Sequence, residues 1–175
     1  MQIEKTRNLN FDESVYYDII NGKTASLLAS SCAAGAASVT SNEEIIQKMK
    51  TFGEQVGMAF QIKDDLFDYG DAKVGKPTGN DIKEKKLTLP LIHILQKVPK
   101  DLKRAIIYIV KNNNNDKQKV KFVIDAVKSN GGIEYAEAKM IEYRDNALAI
   151  LNSFPATPAR EAMEELVRYT TDRAY

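Results

Sequence analysis

The chain has a single cysteine, Cys32, and no excess of charge of either sign, with 25 Lys+Arg against 24 Asp+Glu and a formal net charge of +1. One thiol excludes an internal disulfide and a thiolate metal site. Its neighbours are Ser31, Ala33, Ala34 and Gly35, which marks Cys32 as a small buried thiol in a reducing, cytoplasmic setting. The balanced charge argues against nucleic-acid binding, which draws on a basic face; only Lys83–Lys86 is locally basic. No segment reaches the roughly 18 consecutive apolar residues that span a bilayer. The opening MQIEKTRNLNFDES is charged and has no apolar run, so it reads as no signal peptide.

What remains is a chain of 175 residues, 43% hydrophobic and 28% charged. That is the size and composition of one soluble globular domain, residues 1–175, with enough chain to bury a core. The apolar spacing predicts an all-α fold, an antiparallel helical bundle. Phe11–Val39 reads as one helical segment broken by Gly22, its second half rich in Ala, Gly and Ser. Ser41-Asn-Glu-Glu44 reads as a capping box opening a helix from about Asn42 to Tyr69, with Gly70 as its stop. Gly53 and Gly57, four apart inside that helix, allow another backbone to approach. Residues 70–87 read as a loop. Further helices are expected to open at Thr88-Leu-Pro90 and at Pro99-Lys-Asp101, the latter ending in Asn112–Asn115. Others are expected over Asp116–Ser129 and Glu134–Ser153, with a last one opening at Thr157-Pro158. Ile106–Val110 is the best strand candidate, and its helical flanks argue against it.

The chemistry concentrates in Gln61-Ile-Lys-Asp64-Asp65-Leu-Phe-Asp68. On a helix, residues three and four apart share a face, so Gln61, Asp64 and Asp68 align with Asp65 beside them. Like charges at that spacing repel, and the C-terminal end of a helix disfavours negative charge. Acids collected there point to a cation beyond the helix, and hard oxygen donors suit Mg²⁺. Taken alone, the cluster is equally a solvated acidic helix end. Two familiar motifs do not fit. An EF-hand loop counted from Asp64 would place Leu66, Tyr69 and Gly75 at positions 3, 6 and 12. A P-loop read from Gly70 would place Pro77 where a hydroxyl is required, after a helix rather than a strand.

The stretch Phe52–Ile92 closely resembles the second aspartate-rich region of trans-polyprenyl diphosphate synthases, the octaprenyl enzymes among them. The matching pieces are Phe60-Gln61, Asp64-Asp65-Leu-Phe-Asp68, Gly75-Lys76, Gly79-Asn-Asp81 and Lys86-Leu-Thr-Leu-Pro-Leu-Ile. Upstream, Gly22-Lys-Thr-Ala25 resembles the family's lysine–threonine site. The resemblance implies the C-terminal part of the isoprenoid synthase fold. It implies a prenyltransferase that joins isopentenyl diphosphate to an allylic diphosphate with Mg²⁺. By position, Asp64, Asp65 and Asp68 would bind the metal, Asp64 most directly, with Asp81 assisting. Lys23, Lys76 and Lys86 would hold diphosphate oxygens. Lys23, Thr24 and Gln61 would act beside the reacting carbon.

Members of that family carry a further aspartate-rich motif and a Gly-Gly-Lys upstream, and neither occurs here. The expectation is a C-terminal half, inactive in isolation, whose exposed faces favour a homodimer. Two other readings stand beside it: a non-catalytic helical subunit that keeps a diphosphate site and binds a partner, and a terpene-cyclase-like enzyme. His93 reads as structural, and Tyr16, Tyr17, Tyr108, Tyr135 and Tyr143 as core or interface.

Overall fold

The computed structural model describes residues 12–70 and 78–172. Among these the fold is all-α, with no strand. The helices are α1 (Glu13–Ile20), α2 (Ser26–Ala37), α3 (Glu43–Phe67), α4 (Asn80–Lys83), α5 (Leu89–Lys97), α6 (Lys100–Asn112), α7 (Lys117–Ser129), α8 (Gly132–Asn152) and α9 (Pro158–Asp172). Between α1 and α2, Asn21–Ala25 winds as a π-helical turn.

Local chemistry explains most boundaries. Asp116 caps α7, accepting from the Gln118 and Lys119 N–H groups at 2.9 and 3.2 Å. The Thr157 hydroxyl accepts from Arg160 N–H at 3.2 Å ahead of α9. Pro90 sits in the first turn of α5, where its missing N–H costs nothing. Gly131 takes φ +76, the left-handed conformation that ends a helix, and α8 starts at the next residue.

Three expectations change. The cap of α3 is Asn42, not Ser41: Asn42 Oδ1 accepts from Glu44 N–H at 2.9 Å and Ile45 N–H at 3.4 Å, while Asn42's own N–H donates to Thr40 Oγ1. Gly22 does not break the first segment; the backbone stays helical and only its winding changes. Residues 78–87 are not all loop, since α4 forms within them. Ile106–Val110 lies inside α6, in agreement with its helical flanks.

The chain divides into two compact units. The first comprises residues 12–16 and 64–137. Its core is built from Tyr69, Ile82, Leu91, Ile94, Ile106 and Val123, all under 3% exposed. Each such aliphatic side chain taken from water contributes about 1.5–3 kcal/mol. The second unit comprises residues 17–63 and 138–172, with Phe52, Ala147, Leu148, Leu151 and Val167 at its centre. Cys32 packs at the edge of that cluster, and burial pushes its thiol above the ordinary range.

Candidate functional site

In the second unit, α3 meets the π-helical turn through Gly57 and α2 through Gly53. A Cβ on Gly57 would lie 2.5 Å from the Ala25 Cα, and one on Gly53 2.5 Å from the Leu28 carbonyl oxygen. The backbone approach anticipated for these two glycines is present. Four residues beyond Gly57, Gln61 is buried, and its Oε1 accepts the Thr24 hydroxyl at 3.1 Å. Asn21 in the same turn donates from Nδ2 to Glu54 at 3.4 Å. Lys23 is exposed between them. Thr24 and Gln61, predicted as site residues from positions 37 apart, are therefore bonded to each other. π-Helical turns are rare and recur at functional sites.

The first unit holds the acids. Asp64 and Asp65 lie in the last turn of α3, both half-buried. Asp65 Oδ2 accepts the hydroxyl of Tyr16 at 2.8 Å. Asp68, just past the helix, turns toward α4. Its carbonyl accepts from Gly79 N–H at 2.9 Å. Its carboxylate oxygens accept from Asn80 N–H at 2.7 Å and Asp81 N–H at 3.1 Å. Burial pushes the Asp68 carboxyl up to about 6; the charge of Asp81 adds to this, and the two N–H groups oppose it.

Asp81 faces Lys86, whose Nζ stands 3.1 Å from Asp81 Oδ1 and 2.6 Å from Glu84 Oε2. The hydrogen bond that Lys86 donates to Glu84 leads in holding the Lys86 ammonium above the ordinary lysine range. The backbone fixes the same pair. Lys85 N–H donates to Ile82 O at 3.0 Å and Lys86 N–H to Asp81 O at 2.8 Å, the two bonds of a Schellman closure. Lys85 sits at its left-handed position, φ +58. Lys85 Nζ reaches the Lys111 carbonyl at 2.8 Å, and Asn114 Nδ2 donates to the Lys83 carbonyl. At the other end of the segment, the Tyr69 and Thr88 hydroxyls share a buried hydrogen bond of 2.6 Å.

Of the predicted residues, the fold joins Thr24 with Gln61, and Asp68 with Asp81 and Lys86. Lys76 lies outside the described residues. Among the described residues no three His, Cys, Asp or Glu side chains form a group that could hold a metal ion. Asp68 is engaged by the backbone of α4, and Asp65 by Tyr16. Tyr16, a core or interface residue by its helical position, is buried, yet its hydroxyl belongs to the acidic cluster. No sequence signal distinguishes it, because its partner lies 49 positions away. His93 is structural as expected, stacked on Tyr135 with ring centroids 3.7 Å apart.

Residues 1–127 match the polyprenyl synthetase family. Among curated relatives, heptaprenyl diphosphate synthase component 2 of Geobacillus stearothermophilus is 34% identical over 99% of this chain and 55% of its own length. A short chain isoprenyl diphosphate synthase of Methanocaldococcus jannaschii is 35% identical over 91% of this chain and 49% of its own. Among solved structures, geranylgeranyl pyrophosphate synthase from Bacteroides thetaiotaomicron superposes with a TM-score of 0.90 at 38% identity, covering 98% of this chain and 57% of that one. Polyprenyl synthase from Caulobacter crescentus, solved with calcium and isoprenyl diphosphate, gives 0.87 at 31%, over 98% and 53%. The chain spans about half the length of the curated relatives it matches. Its match to the family runs through the Lys23-Thr24 turn, the acids of α3 and the Asp81–Lys86 closure alike, and the chain belongs to the polyprenyl synthetase family.

Proposed function

We propose that this chain supplies the allylic-diphosphate half of a trans-prenyltransferase, which joins isopentenyl diphosphate to an allylic diphosphate to make a longer trans-polyprenyl diphosphate. The observation that carries this is the gathering of Asp68, Asp81 and Lys86 into one hydrogen-bonded group from separate parts of the sequence.

The carboxylates fit a hard divalent cation in kind. Asp64 and Asp65 are oxygen donors at a helix end with an unfavourable dipole, in the same acidic stretch as Asp68, and a hard cation suits such donors. Asp64 and Asp65 would hold the ion, Mg²⁺ by preference, with Asp81 assisting. Bound there, it would neutralise the charge that grows on the diphosphate leaving group.

The remaining roles belong to the chain. Lys86, held in place by Asp81 and Glu84, offers its ammonium to diphosphate oxygens, and Lys23 and Lys76 add two more. Asp68 acts mainly as a clasp that sets Asp81. Gln61 is oriented by the Thr24 hydroxyl, and its amide oxygen carries the partial negative charge that favours a developing allylic cation. No described helix is long and apolar enough to cross a membrane. A cytoplasmic enzyme acting as a homodimer fits this reading.

Calorimetric titration of inorganic diphosphate into the chain, with and without Mg²⁺, tests it. Binding that requires Mg²⁺ and falls at least tenfold in Asp64→Asn is expected. Binding indifferent to Mg²⁺ and to Asp64 overturns the reading. A second reading, a helical subunit that acts through a partner chain, is favoured by the Geobacillus relative being named a component. Recovery of prenyl transfer only when a second chain is added would select it.

A further inference from the structure

Tyr16 is 5% exposed, so its hydroxyl has given up most of its contact with water. A buried hydroxyl needs a protein partner, and a phenylalanine would fill the same space without that demand. Here the partner is an acid of the Asp64-Asp65-Leu-Phe-Asp68 motif, with Tyr16 Oη donating to Asp65 Oδ2 at 2.8 Å. The donor is neutral, which matters beside a cation site. A lysine or arginine would hold Asp65 as firmly, but its charge would repel the incoming ion. A phenol orients the carboxylate and adds no charge. Outer groups that hydrogen-bond to ligating carboxylates set ligand orientation and metal affinity in this way.

We propose that Tyr16 is a positioning residue for cation binding: its hydroxyl fixes the rotation of the Asp65 carboxylate, so that Asp64 and Asp65 present their oxygens to a divalent ion in a preset arrangement. The inference rests on the cation-site reading of these acids given above. Tyr16 touches neither substrate nor ion in this role and acts through Asp65.

Tyr16→Phe tests it, since that change removes one oxygen and keeps the ring. Inorganic diphosphate is titrated into the unaltered chain and the variant at stepped Mg²⁺ concentrations, well below the melting temperature of each. The Mg²⁺ concentration for half-maximal diphosphate binding is expected to rise about tenfold in Tyr16→Phe. On an Asp65→Asn background, the same Tyr16 change is expected to shift that concentration less than twofold. Four outcomes overturn the proposal. An unchanged Mg²⁺ midpoint in Tyr16→Phe overturns it alone. So does an affinity loss equal at every Mg²⁺ concentration, the mark of a structural role. So does a shift of full size on the Asp65→Asn background. Absence of any Mg²⁺-dependent binding in the unaltered chain overturns the cation-site reading and this inference with it. That case is told apart because it never reaches Tyr16.

Discussion

Asp81 and Lys86 are joined twice, once between side chains at 3.1 Å and once through the backbone, Lys86 N–H to Asp81 O at 2.8 Å. The backbone bond exists because Lys85 adopts φ +58, a conformation that costs an L-residue roughly 1–2 kcal/mol. Glycine occupies that position without strain. Lys85→Gly and Lys85→Ala both remove the tether to Lys111, so comparing them isolates the backbone. Lys85→Gly is expected to be the more stable by about 1 kcal/mol in urea denaturation. At an ordinary helical site the order is reversed. Equal midpoints for the two variants would contradict the assigned conformation.

Gly57 and Gly35 both lie in helices, and alanine should act oppositely at the two. At Gly57 a Cβ would collide with the Ala25 backbone, and the cost is expected at about 1–3 kcal/mol. Gly35 has nothing within 4 Å, so Gly35→Ala gains up to about 1 kcal/mol of helix propensity. Thermal melts of the two variants check the signs.

The Tyr69–Thr88 hydroxyl pair is buried and short, 2.6 Å. Tyr69→Phe or Thr88→Val alone leaves one hydroxyl unsatisfied and is expected to cost about 1–3 kcal/mol. The double variant should cost less than the sum, read as non-additive denaturation midpoints.

His93 supplies the pH dependence. It is 7% exposed against Tyr135, with Lys97 and Glu13 as its charged neighbours. Burial pushes its pKa below the ordinary histidine value of 6.5, Lys97 pushes the same way, and Glu13 opposes. The unfolded chain therefore takes up a proton at higher pH than the folded one. The stability His93 contributes is complete above 6.5 and is lost as pH falls below it. His93→Phe keeps a ring against Tyr135 and removes the proton. The drop in melting temperature from pH 7.5 to 5.5 should be smaller in that variant, and parallel curves would refute the assignment.

The helices were legible because their signals are local. Asp116, Thr157 and Pro90 announce helix starts within a turn of where they stand, and Gly53 with Gly57 declared a close approach before its partner was known. Asn42 displaced Ser41 as a cap because two adjacent capping residues compete and one register wins. The π-helical turn could not be read, since an amphipathic pattern interrupted by Gly22 looks the same whether the chain bends or merely rewinds. In the site, Asp64, Asp65 and Asp68 were nameable from their spacing, and Asp81 and Lys86 from the resemblance to the family. The division of labour among them was not, since Asp68 facing the α4 backbone and Tyr16 facing Asp65 depend on contacts across 12 to 49 residues. In the sequence Lys85 is one member of the locally basic stretch Lys83–Lys86, and only the backbone angle reveals its place in the closure.

Asn21–Ala25 holds one residue more than the ordinary winding would need, so the faces of the chain before and after it are out of step by one position. A helical wheel drawn straight through from Glu13 to Ala37 therefore misassigns everything on one side of the turn. Deleting Gly22 alone would return the turn to ordinary winding and leave the faces of α2 nearly in place, because the π turn already absorbs the extra residue. Only the turn that presents Lys23 and Thr24 would be rewound, while every side chain of the site remained in the sequence. In this segment an indel, rather than any substitution, is the change that would most cleanly separate composition from function.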